Sequence, residues 1–229
     1  MFFLEISYSC NSQPPFNQSI YRSGRGSKIN LWDNGKVPVK FRSSFNSGDR
    51  KTFIRAVRKI EEVTCIKFFQ RTTHEAYVSV ENTCRECGHC TGVGSANVGK
   101  HRPNEMKIDS CLSPSNINDV VFVMHEILHS LGLIHTHRRH DRNKHIRIND
   151  NNINPDKRYN FNRCSDCKTY NTPYDCMSVM HYRENDFRAT WAKGPSMTAR
   201  NPKKCDLRTL PTELTDSDID LLNKMYPCV

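Results

Sequence analysis

The sequence predicts an α+β fold, on three observations. Short runs rich in β-branched and aromatic residues, "VPVKF", "CIKFFQR" and "AYVSV", fall within the first eighty positions. Three longer stretches read as helices, two by their amphipathic period and one as a continuous apolar run. Beyond residue 135 the chain turns polar, with few regular patterns before the last of those helices.

Each element has its own warrant. "VPVKF" at 37–41 alternates as a strand does. "GDRKTFIRAVRKIEEV" at 48–63 is an amphipathic helix, with Phe53, Ile54, Val57, Ile60 and Val63 on one side. "CIKFFQR" and "AYVSV" read as strands whose apolar residues belong to the core. "CTGVGSANVG" at 90–99 is glycine-rich and reads as a flexible loop. "NDVVFVMHEILHSLG" is apolar enough for a buried helix, with Asn118 or Asp119 as its N-cap. "TDSDIDLLNKMY" is the final helix. Thr215 caps it, Asp218 follows three places on, and Ile219, Leu222 and Met225 share a face.

The chemistry concentrates in "HEILHSLGLIH", residues 125–135. His125 and His129 are four apart, so a helix places them on one face, roughly 5–6 Å apart at Cβ. That suits two imidazoles on one zinc ion. His135 lies six residues past His129, roughly 9 Å along the axis of a straight helix at ~1.5 Å per residue. The helix must therefore end and the chain turn back. Gly132 permits this, because glycine takes the left-handed conformation without steric cost. Three protein ligands leave a zinc ion with an open position, the mark of a catalytic site. Glu126, beside the first histidine, is then the general base that takes a proton from the attacking water and passes it to the leaving amine. A buried helix with coincidental histidines explains neither Gly132 nor His135.

A second motif follows. "CMSVMHY" spans Cys176–Tyr182, and "HTHRRHDR" follows "GLI" at 135–142. With the zinc motif, these resemble the astacin family of metallopeptidases. That family reads H-E-x-x-H-x-x-G-F-x-H-E-H-x-R-x-D-R and then S-x-M-H-Y. The match holds at His125, Glu126, His129, Gly132, His135, His137, Arg139, Asp141 and Arg142, and again at Ser178, Met180, His181 and Tyr182. The resemblance covers about residues 31–228.

The resemblance implies a metzincin-type catalytic domain of two lobes. A mixed twisted sheet and the active-site helix form the upper lobe. The lower lobe is rich in loops and carries the C-terminal helix, and the zinc lies in the cleft between them. It further implies one Zn2+ per subunit, held by His125, His129 and His135 over a turn centred on Met180. Tyr182 ligates the resting metal, then swings away to stabilise the oxyanion. The resemblance makes 90–99 the edge strand that binds substrate. It pairs Cys65 with Cys228 and Cys90 with Cys111. "ENDFRATWAKGPSM" builds part of the primed-side pocket, where Arg188 or Lys193 would favour an acidic residue just past the scissile bond. Two positions depart from the family pattern. Leu133 replaces a phenylalanine, a tolerable apolar exchange. Thr136 replaces a glutamate that anchors the new N-terminus after propeptide removal, so that anchoring is in question.

Composition bounds the rest. The formal net charge is +10 over 229 residues, but the Lys and Arg are scattered and no nucleic-acid motif is present. No apolar run approaches the length of a membrane span. Eleven cysteines fit an oxidising compartment and a secreted protein. The resemblance leaves Cys10, Cys84, Cys87, Cys164, Cys167, Cys176 and Cys205 with pairings open. "CREC" and "CSDC" read as further disulfides or as a second zinc site, disulfides being the better fit to their separation. Residues 1–22 are expected to be a remnant propeptide and 23–229 the peptidase domain. "YRSGRGSK" offers basic cleavage points after Arg22 or Arg25, while the family's F-x-G-D inhibitory motif is absent. "MFFLEISYSC" has an apolar start but carries Glu5 and lacks a basic leader.

The reading is a secreted zinc endopeptidase, made as a zymogen and acting as a monomer on protein or peptide substrates. Its rival is an inactive secreted zinc-binding protein of the same fold. The intact Glu126 argues against that, because a purely structural site has no use for it. A C-x-x-C redox protein is disfavoured, because neither pair sits in a βαβ pattern.

Overall fold

The computed structural model describes residues 29–228, which divide into two compact units. The described part of the first covers 29–61 and 66–132. The second covers 62–65 and 133–228.

The first unit is a five-stranded mixed sheet with two helices. Its elements are β1 (Lys36–Phe41), α1 (Ser47–Glu61), β2 (Lys67–Gln70), β3 (Val78–Asn82), β4 (Val93–Ala96), β5 (Asn104–Asp109) and α2 (Ile117–Ser130). The strand order is β2-β1-β3-β5-β4. All neighbours run parallel except β4, which pairs antiparallel with β5 as an edge strand. The core follows from periodicity. Val37 and Val39 of β1, Val78 and Val80 of β3, and Met106 and Ile108 of β5 alternate into it. Phe53, Ala56, Val57 and Ile60 of α1 are buried on one stripe. Val120, Val123, Met124, Ile127 and Leu128 do the same for α2.

Four details differ from the sequence expectations. Phe69 of β2, expected in the core, is exposed. Ile54 and Val63 are exposed, not core. Ile54 lies one residue, about 100° of helix, away from the Phe53–Val57–Ile60 stripe, and Val63 lies beyond the last turn, which ends at Glu61. The N-cap of α2 is Asn116, whose side chain accepts from the Asn118 N–H. Asp119 instead accepts from the Ser113 N–H at 2.9 Å. The segment 90–99 is not wholly the flexible loop that its glycines suggest, since Val93–Ala96 forms the edge strand β4, where the resemblance places one.

The second unit holds little regular structure: β6 (Ile146–Ile148), β7 (Met197–Ala199), several short 3-10 turns, and α3 (Asp216–Met225). Ile146, Cys176, Met197, Cys205 and Leu207 form a small core. Arginines at low exposure hold much of the remainder. Arg139 clasps Asp141 with two hydrogen bonds, 3.0 and 2.9 Å, and donates to the carbonyls of Thr172 and Pro173. Arg142 donates to the carbonyls of His137 and Phe161. The "RHDR" run is therefore a loop-holding device. Thr215 and Asp218 form a complete capping box at the start of α3.

Five disulfides pair the cysteines of the described residues: Cys65–Cys228, Cys84–Cys90, Cys87–Cys111, Cys164–Cys167 and Cys176–Cys205. The expected Cys90–Cys111 bond is replaced by Cys84–Cys90 and Cys87–Cys111. The reason is crowding. The Cys84 and Cys90 sulfurs each lie 3.6 Å from that of Cys111, so spacing alone cannot select the partner. Both C-x-x-C pairs are consumed in disulfides, which leaves no thiolates for a second zinc among the described residues. Cys10 and the expected propeptide, residues 1–22, lie outside the described residues.

Candidate active site

Helix α2 carries the first two histidines. The His125 and His129 rings stand perpendicular with centroids 4.8 Å apart, as one helical turn on a shared face requires. The helix stops at Leu131, and Gly132 follows with φ +104°. The Gly132 N–H donates back to the His129 carbonyl at 2.8 Å. This left-handed residue reverses the chain, so that the ring donor atoms of His125, His129 and His135 lie within 4.8 Å of one another. Three imidazoles gathered this closely suit one zinc ion.

Glu126 is buried at 4 % exposure. Its Oε2 has no hydrogen-bond partner among the described residues. Burial pushes its carboxyl up to about 8, a range suited to exchanging a proton near neutral pH. An unpartnered buried carboxylate oxygen beside three convergent imidazoles is the arrangement a water-activating site needs.

One neighbour of Glu126 lies outside the sequence expectations. Gly94 of β4 passes directly against it. A Cβ on Gly94 would meet Glu126 Oε1 at 2.4 Å, and its Cγ and Cδ at 2.7 Å. Glycine is needed here for clearance and not for backbone freedom. No local sequence signal reveals such a contact, because the two residues are 32 positions apart.

In the second unit, Met180 is buried and belongs to a turn over 176–182. Its carbonyl accepts from the Thr136 N–H at 2.9 Å. Ser178 Oγ uses its full hydrogen-bonding capacity. It donates to Asp218 Oδ1 at 2.6 Å and accepts from Thr136 Oγ1 and the Met180 N–H, both at 3.0 Å. Asp218 Oδ2 takes the Val179 N–H at 3.0 Å. The capping carboxylate of α3 thus also holds the methionine turn. Burial, the largest influence, raises its pKa above the usual carboxylate value. Thr136, at the position where the family pattern has glutamate, joins this network; the N-terminal residues that such a glutamate would anchor lie outside the described residues.

Tyr182 stacks on His137 with centroids 4.0 Å apart and lies 4.5 Å from the His135 ring. His137 is fully buried and donates from Nε2 to the Asn160 carbonyl at 3.1 Å. Burial holds its pKa well below the ordinary value, so it packs as a neutral ring. His181 is likewise neutral, with burial lowering its pKa to about 3. Its Nδ1–H donates to the Tyr182 carbonyl at 2.6 Å and its Nε2 accepts from Tyr174 Oη at 2.8 Å. The histidines of "HTH" and "MHY" that are not candidate ligands are thereby explained as supports for Tyr182. Arg188 and Lys193 are exposed, and Arg188 forms an isolated bridge with Ile153.

The family model of the astacin peptidases matches residues 24–227. Tolloid-like protein 2 of Homo sapiens is 29% identical over 220 residues, 93% of this chain and 20% of that protein. Low choriolytic enzyme of Oryzias latipes is 32% identical over 193 residues, 84% of this chain and 66% of that enzyme. Among solved structures, high choriolytic enzyme 1, a hatching enzyme zinc-protease from Oryzias latipes, superposes with TM-score 0.71 at 26% identity, covering 96% of this chain and 100% of that one. Myroilysin shares the fold, with TM-score 0.62 at 18% identity, covering 86% of this chain and 96% of that one. The chain spans about a fifth of the length of the tolloid-like relatives. With the family model covering nearly all of its length, the chain belongs to the astacin family of metallopeptidases.

Proposed function

We propose that the protein is a secreted zinc endopeptidase that hydrolyses internal peptide bonds of protein substrates. The observation that carries this reading is the convergence of His125, His129 and His135 beside the buried, unpartnered Glu126. The three histidines would hold one Zn2+, which when bound supplies Lewis acidity toward the scissile carbonyl and toward water. Glu126 takes the proton of the attacking water and returns it to the leaving amine. Tyr182, held beside the third histidine by its stack on His137, donates its phenol O–H to the developing oxyanion. Met180 and Gly132 shape the site without touching substrate. The relatives matched include hatching and tolloid-like enzymes.

Secretion is supported by the five disulfides, which persist in an oxidising compartment. No helix of the described residues is long and apolar enough to cross a membrane. Residues 1–22 are assigned to a propeptide remnant, consistent with a zymogen, and 23–229 to the peptidase domain.

Zinc analysis with a peptide-cleavage assay on the refolded chain tests the reading. One zinc per chain is expected, with cleavage that disappears on chelation and returns with zinc. Stoichiometric zinc with no cleavage of any peptide in a broad library would instead favour the inactive zinc-binding alternative.

A further inference from the structure

Arg183 follows Tyr182 directly, yet it is only 9% exposed. Its guanidinium makes four hydrogen bonds, all to backbone carbonyls. Nη1 donates to Cys176 O at 3.0 Å and Thr209 O at 3.1 Å. Nη2 donates to Ser178 O and His181 O, both at 2.9 Å. Three of the four acceptors lie within the turn that carries Met180. The Arg183 backbone N–H is itself held by Asp186 Oδ2 at 2.9 Å.

Burying a guanidinium is costly unless its donors are satisfied. Burial lowers the Arg183 pKa, and the carboxylates of Asp186, Asp206, Asp175 and Asp218 act against that. The turn has almost no regular hydrogen bonding of its own. Carbonyls of 176, 178 and 181 are received by Arg183. The 178 hydroxyl and the 179 N–H point to Asp218. The segment is thus clamped between a buried cation and a buried anion, and Tyr182 lies between the last clamped carbonyl and the clamp itself.

We propose that Arg183 is a positioning residue for peptide hydrolysis, fixing the methionine turn so that Tyr182 and the Met180–Thr136 contact are held ready for the reaction. The proposal rests on the peptidase reading above. A planar fork of donors is required. A lysine ammonium is a point charge with three donors on a flexible stem and cannot serve carbonyls on both arms of a fork.

The test compares wild type with Arg183→Lys and Arg183→Ala, reading kcat, KM, zinc content, Tm, and amide hydrogen exchange of the metal-free protein. In Arg183→Lys we expect zinc retained, KM within about twofold and kcat down about tenfold or more, the split expected when an interaction made only in the transition state is weakened. Exchange at the Thr136 and His181 amides, which bond to Met180 O and Ser178 O, should accelerate at least about tenfold, while amides of β3 and α2 stay protected. Free guanidinium should restore part of the kcat lost in Arg183→Ala. Unchanged kcat per folded molecule in Arg183→Lys overturns the proposal, whatever its Tm. So does failure of both variants to fold, which would make Arg183 part of the fold itself. If wild type holds zinc but cleaves nothing, the peptidase reading fails separately, and the exchange data still report whether the clamp exists.

Discussion

The two units secure their chemical groups by different means. In the first, His125, Glu126 and His129 ride on α2, where the helical period fixes their directions and a buried apolar face fixes the helix. In the second, Met180 and Tyr182 sit on a loop, with Asp218, Arg183, His137 and His181 supplying by side chain what a helix supplies by backbone. A helix-borne site tolerates loss of any one neighbour, because its ladder remains. A loop-borne site held by buried polar groups loses its geometry when one is removed, since the orphaned partners stay desolvated.

Substitutions can break or sharpen this contrast. The largest effect is expected at the third histidine. His135→Ala leaves two histidines of the set, so a dialysed sample should lose most of its zinc and its activity. Near-stoichiometric zinc at normal affinity would remove His135 from the ligand set. Next is Tyr182→Phe, which keeps the ring stacked on His137 but deletes the donor. Losing one oxyanion donor costs about 2.7–4 kcal/mol, or roughly 10²–10³ in rate, and it should appear in kcat far more than in KM. A raised KM at equal kcat would make Tyr182 a binding residue instead.

Gly94→Ala probes the first unit without replacing a reactive side chain. The new methyl must push Glu126 aside, and misplacement by about 1 Å can cost up to about 10² in rate. Tm should move little, because the atoms met all belong to one side chain and none to the backbone. A large fall in Tm with unchanged kcat per folded molecule would show that β4, and not Glu126, gives way.

The smallest effect is expected at the exposed Lys193. If Arg188 or Lys193 lines the pocket past the scissile bond, cleavage-site profiling will show Asp or Glu enriched there, and Lys193→Glu will reduce the enrichment modestly, since exposed charges are screened. Enrichment that survives the substitution shifts the role to Arg188; no enrichment in wild type ends the pocket idea.

The same contrast explains what is legible in the sequence. Local rules suffice for α2, its Gly132 stop, β1 and the capped α3, because each is specified by neighbours within a turn or two. The zinc motif is legible for that reason. β5 is only weakly marked: Asn104, Met106 and Ile108 alternate inward, but just two of the three are apolar. The pairing of Cys84, Cys87, Cys90 and Cys111 turns on distances among four neighbouring sulfurs. Gly94 against Glu126 and Arg183 across to Thr209 are through-space contacts with no periodic trace. Asp218 is visible as a cap, but its grip on Ser178 and Val179, some forty residues away, is not.

The central claim is that Glu126 is the general base of a zinc-dependent hydrolysis, and Glu126→Gln tests it most directly. The amide fits the same buried space but cannot accept the proton of water. The variant should fold, retain one zinc per chain and bind peptide, while kcat falls about 10²–10⁴-fold. Turnover equal to wild type at full zinc occupancy would contradict the account.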